Sequence, residues 1–204
     1  MRKSTLVLLL TGILSLVYVN GIAWRYATIR SEGNLVYLQL APVDPISLVQ
    51  GQYMQLRFDL ETHGAELQES DHHLFTENPN AGVLAVLKLD GNRVGTATRL
   101  IPEHPSDSTI KELDDEYAAT GYALLGVEVN DEFQSYVREA SNDGNDAPQA
   151  FPIKLRQNSF LFKENTPERY SNARYGILRV TGSGEYVLVD LAGEDFKPMT
   201  AVKE

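Results

Sequence analysis

The sequence predicts a mainly β fold, either an antiparallel β-sandwich or a partly open barrel with a few short helices, preceded by one N-terminal transmembrane helix. Apolar and polar residues alternate in segment after segment from residue 35 onward, and turn-forming residues separate two pairs of these segments. Stretches with helical spacing are short. A doubly wound α/β fold would need long helices between its strands, so that class is excluded.

The N-terminus carries an uncharged apolar run over residues 6–24, preceded by Arg2 and Lys3. About 20 helical residues are needed to cross the hydrocarbon core of a bilayer, and the run has this length. We therefore expect residues 1–30 to form a short cytoplasmic stub and an uncleaved signal anchor, with the basic residues holding the N-terminus in the cytoplasm. The alternative is a signal peptide that is cleaved after residues 21–23, Gly-Ile-Ala.

The remaining chain is acidic and lacks cysteine. We assign residues 33–195 to one extracytoplasmic β-rich domain and residues 196–204 to a loose tail. The formal net charge is −10, with 28 acidic and 18 basic residues. Nucleic-acid binding needs a basic surface and is therefore disfavoured. The absence of cysteine excludes disulfides, thiolate metal sites and a cysteine nucleophile.

Alternating apolar residues predict the strands, and glycine-containing turns join two pairs of them. Asp90-Gly91-Asn92 and Gly182-Ser183-Gly184 are typical of tight hairpins that need a positive φ. Strands are expected at residues 35–40, 52–60, 83–89, 93–100, 122–129, 151–156, 160–163, 175–181 and 186–191. Helices are expected at residues 108–119, 131–140 and 166–173, one helical turn at 46–50, and polar loops at 64–73 and 141–149.

The strand predicted at residues 52–60 has the clearest alternation. Met54, Leu56, Phe58 and Leu60 are expected to point into the core, because one apolar face over a polar one fixes the register of a half-exposed strand. Tyr53 and Arg57 would lie on the opposite face.

Clusters that bind metals or perform catalysis are not recognisable in this sequence. Asp71-His72-His73 resembles a metal site, but adjacent histidines diverge on a strand or a helix. Residues 141–146 resemble a calcium loop in the wrong order, and Asp114-Asp115-Glu116 is typical of a solvated acidic run. Neither a nucleophile elbow nor a phosphate-binding glycine loop occurs. We therefore expect no catalytic residue, no bound metal and no cofactor.

The octapeptide Gly51-Gln52-Tyr53-Met54-Gln55-Leu56-Arg57-Phe58 resembles the signature of the GDYXXLXY family, a bacterial group named for that motif. Gly51, Tyr53 and Leu56 match the signature, whereas Gln52 replaces its Asp and Phe58 replaces its second Tyr. Residues 40–45, 160–164 and 174–176 also resemble the family, as does the closing hairpin.

The resemblance implies an N-terminally anchored bacterial envelope protein without a known activity, from a family whose members accompany multi-spanning membrane proteins. A signature Asp acting as a catalytic acid could not be replaced by Gln52, because an amide does not titrate. The motif is therefore structural, or this copy is inactive.

We expect a non-enzymatic accessory protein of the bacterial inner membrane, single-pass and with a periplasmic domain that binds an integral membrane partner. Tyr53 and Arg57 are the candidate contact patch, since Tyr and Arg often anchor interfaces. The structural alternative is that Tyr53 packs under a loop and that Arg57 pairs with an acid. Two other functions stay open: an envelope hydrolase with a site assembled across strands, and a binder of a small apolar ligand.

Overall fold

The computed structural model describes residues 3–41, 49–50, 53–67, 82–129, 149–161 and 170–200. Its helices are α1 (Lys3–Glu32), α2 (Asp59–His63) and α3 (Asp107–Glu116). Its strands are β1 (Asn34–Gln39), β2 (Val49–Gln50), β3 (Tyr53–Gln55), β4 (Ala65–Leu67), β5 (Val83–Leu89), β6 (Gly95–Pro102), β7 (Tyr122–Val129), β8 (Gln149–Phe151), β9 (Ile153–Leu155), β10 (Ser159–Leu161), β11 (Tyr175–Val180) and β12 (Tyr186–Ala192). The helix predicted at 131–140, the cluster Asp71-His72-His73 and residues 141–146 lie outside the described residues.

The strands form three sheets, with the orders β1-β11-β12, β10-β3-β2 and β8-β4-β6-β5-β7-β9. Neighbouring strands are antiparallel except for β4 and β6, which pair in parallel through Glu66 and Arg99. The prediction of a mainly antiparallel β fold with few helices is thus confirmed. The described strands β5, β7, β11 and β12 lie close to their predicted bounds, because alternation and turn chemistry agree there.

The two edges of the six-stranded sheet, β8 and β9, are consecutive in the chain and are separated only by Pro152. β8 pairs with β4, whereas β9 pairs with β7 at the other edge. The prediction of one continuous strand over residues 151–156 is therefore wrong. Proline has no backbone N–H to donate to a ladder, so the strand divides at this residue.

One hydrophobic core joins all three sheets. Leu38 of β1 and Leu178 of β11 are fully buried in it beside Leu87 and Leu100 of the six-stranded sheet, and Met54 of β3 belongs to the same cluster. A second cluster lies on the other face of the six-stranded sheet, under α3. Burial on both faces explains why residues 83–87 are a continuous apolar run that is buried throughout.

Helix α3 confirms the helix predicted near residues 108–119. The Ser106 hydroxyl accepts a hydrogen bond from the backbone N–H of Thr109 at 3.2 Å and so caps the first turn. The guanidinium of the buried Arg99 lies 3.3 Å from Glu116, and Asp114 accepts a hydrogen bond from the Tyr122 hydroxyl at 2.9 Å. Two members of the predicted solvated acidic run therefore have partners, because the helix places them over strand side chains.

Both predicted hairpin turns join antiparallel neighbours and are confirmed. In the first turn, however, the residue with positive φ is Arg93 at 63° rather than Gly91. The Asp90 carboxylate holds the turn by accepting hydrogen bonds from the N–H groups of Asn92 and Val94 at 2.8 and 2.7 Å. In the second turn Gly184 takes the equivalent position, with a φ of 84°.

Four other local predictions need correction. The strand predicted at 52–60 ends at residue 55, and helix α2 begins at residue 59. Val49–Gln50 forms a strand rather than the end of a helical turn, and the polar loop predicted from residue 64 contains β4. Residues 170–173, the described end of the helix predicted at 166–173, form a turn instead. These segments are short, and tertiary pairing outweighs local propensity in them.

The described part of the predicted tail packs against the domain. The buried Asp190 carboxylate accepts hydrogen bonds from the N–H of Thr200 at 3.2 and 3.1 Å. Phe196 packs against Tyr37 with ring centroids 5.2 Å apart. Residues 196–200 are therefore attached to the domain by hydrogen bonds to a buried carboxylate and by one aromatic contact.

Candidate functional site

The described part of the signature segment lies in and directly after β3. This is the central strand of the β10-β3-β2 sheet, which we call the small sheet. Met54 and Phe160 stand opposite each other in register, as do Tyr53 and Leu161. Gly51, Gln52 and the side chain of Tyr53 are outside the described set. What the structure does describe are the last five positions of the octapeptide and the backbone of Tyr53.

Burial alternates through this segment as the sequence predicts. Leu56 and Phe58 are buried, together with Met54 and Leu60. The alternation continues into α2 although the strand has ended, since the chain still runs along the edge of the core. The burial prediction for all four apolar residues is confirmed.

Phe58 is the packing centre of the signature segment. Its backbone bridges Leu40 at the end of β1, and its ring lies against Gly176 of β11. A Cβ added at Gly176 would stand 2.7 Å from Cε1 of Phe58, which is closer than any side-chain carbon can approach. Phe58 therefore fastens the small sheet to β1 and β11.

Glu61 completes this attachment and was not singled out from the sequence. Its carboxylate accepts hydrogen bonds from the backbone N–H of Phe58 at 3.1 Å and of Leu155 at 3.0 Å. It thus satisfies the start of α2 and the edge strand β9 together. Phe58 has no side-chain acceptor and so cannot form a reciprocal capping box, which is why no sequence motif marks Glu61.

Arg57 is exposed, and no ion pair joins it to another described residue. Its carbonyl accepts a hydrogen bond from the N–H of Ala41 at 2.9 Å. Gln55 is exposed two positions earlier, and Leu161, opposite Tyr53 on the neighbouring strand, is 58% exposed. We call Gln55, Arg57 and Leu161 the β3 face. The predicted pairing of Tyr53 with Arg57 in one contact patch stays a prediction.

A second surface, which the sequence did not indicate, is a cleft of about 620 Å³ between the C-terminal half of α1 and one end of the β domain. Side chains of α1 form one wall, and the other wall is formed by β7, the β11–β12 turn, β12 and the segments directly after β6 and β9. We call it the α1 cleft. Its lining is Tyr18, Ile22, Arg25, Tyr26, Ile29, Glu103, Gly126, Arg156, Gln157, Gly184, Glu185, Tyr186 and Val187.

An ion pair holds the two walls of the α1 cleft together. Arg25 on the helix donates hydrogen bonds to both carboxylate oxygens of Glu185, with Nε 3.1 Å from Oε2. Both groups are charged, so these hydrogen bonds are charge-assisted. Both groups are solvent-accessible, so the pair orients the helix more than it stabilises the fold.

Tyr186 and Gln157 order the domain wall of the cleft. The Tyr186 hydroxyl accepts a hydrogen bond from the N–H of Gln157 at 3.2 Å, and the Gln157 side chain accepts one from the N–H of Leu188 at 3.0 Å. Burial raises the pKa of Tyr186, so its phenol is neutral at physiological pH. The segment after β9 is thus attached to β12 by side chains as well as by packing.

The second hairpin turn forms the floor of the cleft. The Gly184 carbonyl accepts a hydrogen bond from the N–H of Gly126 at 2.8 Å, which connects the β11–β12 hairpin to β7. A Cβ at Gly184 would lie 2.6 Å from Cδ2 of Leu84. Of the residues that line this cleft, the sequence marked only those of the Gly182-Ser183-Gly184 turn, because the other lining residues are distant from one another along the chain.

The C-terminal end of helix α1 packs against the domain. Ile29 is buried, and Arg179 donates a hydrogen bond to the carbonyl of Gly33 at 3.0 Å. Toward the N-terminus the apolar side chains are exposed, from Val7 at 60% to Trp24 at 74%. Across the described residues, no helix has the combined length and apolarity that crossing a membrane requires. Nor does that part of the chain hold a group of three or more His, Cys, Asp or Glu residues suited to a metal ion.

Comparison with known proteins places the chain by family alone. No curated protein and no solved structure matches it. The family model described as GDYXXLXY protein matches residues 15–191, which include the signature segment and almost every described strand. The chain therefore belongs to the GDYXXLXY family.

Proposed function

We propose that this chain is a single-pass protein of the bacterial inner membrane whose periplasmic β domain, without enzymatic activity, binds an integral membrane partner. The observation that carries the proposal is the exposed apolar surface of α1. Its large apolar residues face solvent from Val7 to Ile22, and a monomeric soluble protein rarely exposes so long an apolar surface. A bilayer would cover that surface.

The length of the run supports membrane anchoring. Leu6 and Leu8, whose side chains are not among those described, belong to the same uncharged run. The run extends over residues 6–24, which is close to the roughly 20 residues that span a hydrocarbon core. Trp24 and Tyr26, both exposed, stand where a helix leaves the bilayer for the interface.

The charge of the domain favours a protein partner over a lipid surface as its main contact. Residues 1–24 contain two basic and no acidic residues, so the rest of the chain carries 28 acidic and 16 basic residues, a net charge of −12. Anionic headgroups repel an acidic domain, so an anionic lipid surface is not its main binding partner. Its side faces are then available to a neighbouring membrane protein.

The β3 face is the surface we assign to that partner. Among the large apolar side chains described as exposed, Leu161 alone lies outside α1. An exposed Leu beside an exposed Arg matches the composition of interface anchors. Tyr53, opposite Leu161 in register, and Arg57 complete the proposed contact patch.

Two experiments test this function. The first is sodium carbonate extraction, after which the chain should remain in the membrane pellet. The second is affinity purification from detergent-solubilised membranes, comparing Tyr53→Ala/Arg57→Ala and Leu161→Ser with Lys88→Ala, a change at an exposed residue of β5. We expect the first two variants to lose a co-purifying membrane protein at an unchanged melting temperature. Loss of stability without loss of the partner would contradict the patch.

We further propose that the sheets close into a partly open barrel rather than a sandwich. The supporting feature is Pro152, which separates the two edge strands of the six-stranded sheet by a single residue. An experimental structure with β8 and β9 in two facing sheets would contradict it.

The alternative functions gain no support from the α1 cleft. Its described lining contains no Ser, Cys, Lys or His, which are common nucleophiles and bases of hydrolases. It is also open to solvent and lined by four charged side chains, unlike an enclosed apolar ligand cavity.

A further inference from the structure

The α1 cleft has two charged side chains outside the Arg25–Glu185 pair. Arg25 and Glu185 neutralise each other, but Arg156 and Glu103 form no ion pair with any described residue. Arg156 extends over Gly126, with its Nη1 3.8 Å from where a Cβ of that residue would stand. The Glu103 carboxylate folds over Gly82 at the start of β5. One cation and one anion thus face the same cleft.

The opposite wall is apolar and aromatic. Tyr18, Ile22, Tyr26 and Ile29 follow one another at helical spacing on the face of α1 that lines the cleft. Tyr18 and Ile22 belong to the run proposed to lie in the bilayer, whereas Arg156 and Glu103 belong to the domain. The cleft therefore combines side chains of the proposed anchor with charged side chains of the domain.

We propose that the α1 cleft binds a single phospholipid whose zwitterionic headgroup carries a primary ammonium. Arg156 receives the phosphate, because a guanidinium donates paired hydrogen bonds to phosphate oxygens. Glu103 accepts hydrogen bonds from the ammonium. The acyl chains run along Tyr18 and Ile22. This assignment rests on the proposed membrane anchoring of α1.

Size and charge select this ligand over the alternatives. A volume of about 620 Å³ lies within the range of roughly 300–1,000 Å³ that is usual for small-molecule sites. The surrounding acidic domain disfavours a headgroup with a net negative charge.

A tryptophan reporter in the full chain tests the site. The chain has one Trp, so Trp24→Phe combined with Tyr18→Trp puts the sole fluorophore on the helix wall of the cleft. The protein is reconstituted in phosphatidylcholine vesicles with small fractions of phosphatidylethanolamine, phosphatidylcholine or phosphatidylglycerol bearing brominated acyl chains. We expect half-maximal quenching at a several-fold lower fraction of brominated phosphatidylethanolamine than of the other two lipids.

Substitutions at the two headgroup residues should abolish this preference. Arg156→Gln and Glu103→Gln, each in the reporter background, are expected to make all three brominated lipids quench alike. Lys88→Gln and Glu128→Gln, which change the same charges at exposed sites outside the cleft, should leave the preference intact.

Four results would overturn the assignment, and they are distinguishable. Equal quenching by the three lipids would exclude a headgroup site. Stronger quenching by phosphatidylglycerol would leave a simple anion site and remove the role of Glu103. Protection of the reporter by a co-purified membrane protein would mean that a partner helix fills the cleft. Failure of every brominated lipid to quench would instead refute the membrane anchoring on which the assignment rests.

Discussion

The signature segment and the α1 cleft differ in burial and in charge. In the first, Leu56 and Phe58 are buried and the neighbouring backbone is held by Glu61. In the second, four charged side chains line an open cleft, and among the described residues only Arg25 and Glu185 form an ion pair. Leu56 and Phe58 of the signature segment are thus packing residues, whereas the charged groups of the cleft come from positions without a recognisable sequence pattern.

The largest difference between these regions should appear on introducing a carboxylate. Leu56→Asp buries an unpaired charge and is expected to lower the free energy of unfolding by at least about 4 kcal/mol, enough to unfold the domain. Arg57→Asp, one residue away and exposed, should change it by less than about 0.5 kcal/mol. Urea titration followed by circular dichroism measures both, and a Leu56→Asp protein that melts like the parent would refute the burial of this segment.

Contact between Phe58 and Gly176 should behave as a coupled pair. Phe58→Ala is expected to cost about 3–5 kcal/mol through the cavity that it leaves. Gly176→Ala should cost about 1–3 kcal/mol, because the new methyl group meets the Phe58 ring. The alanine at 176 has room once the ring is gone, so the double variant should be more stable than the sum predicts. Strict additivity in the same urea titration would contradict the contact.

Substitution should destabilise the fold more at Gly184, in the turn that forms the floor of the cleft, than at Arg93 in the first hairpin turn. Gly184→Ala forces a side chain into a positive φ and against Leu84, and we expect a loss of about 1–3 kcal/mol in unfolding free energy. At the exposed turn, Arg93→Gly should change stability by less than about 1 kcal/mol, because relief of strain offsets the extra freedom of the unfolded chain. Equal effects at both turns would contradict the packed role of Gly184.

A smaller contrast concerns alkaline pH. Burial raises the pKa of Tyr186 above its ordinary value near 10, so this group stabilises the fold below about pH 10. That contribution is lost as the pH rises through the raised pKa of the folded state. Tyr186→Phe should therefore flatten part of the stability loss above pH 10 in thermal melts. An unchanged slope would mean that the phenol is hydrated.

How far the sequence predicts the fold depends on how local the signal is. The hairpins at residues 90–92 and 182–184 follow from turn chemistry between alternating runs, and the burial of residues 54–60 follows from alternation. The end of β3 at residue 55 does not follow from alternation, because alternate burial fits a strand and an irregular chain passing over the core equally well. The division at Pro152 was readable, since proline lacks the N–H that a continuous strand would donate.

The α1 cleft could not be predicted from the sequence, for a physical reason. Arg25 and Glu185, which hold its walls together, are 160 residues apart. Neither residue has a spacing or a neighbour that marks it, because the pairing exists only after β12 has packed beside α1. The contact patch of Tyr53 and Arg57 followed from strand alternation alone, and only Arg57 can be placed on an exposed face.

Membrane topology is the claim on which the rest depends, and the absence of cysteine makes it directly measurable. Single variants Ser4→Cys and Lys88→Cys would be exposed to a membrane-impermeant maleimide in intact spheroplasts. The proposed topology predicts labelling of Lys88→Cys at once and of Ser4→Cys only after lysis, with both proteins in the membrane pellet. Labelling of Ser4→Cys in intact spheroplasts, or recovery of either protein in the soluble fraction, would contradict a single-pass anchor with a periplasmic domain.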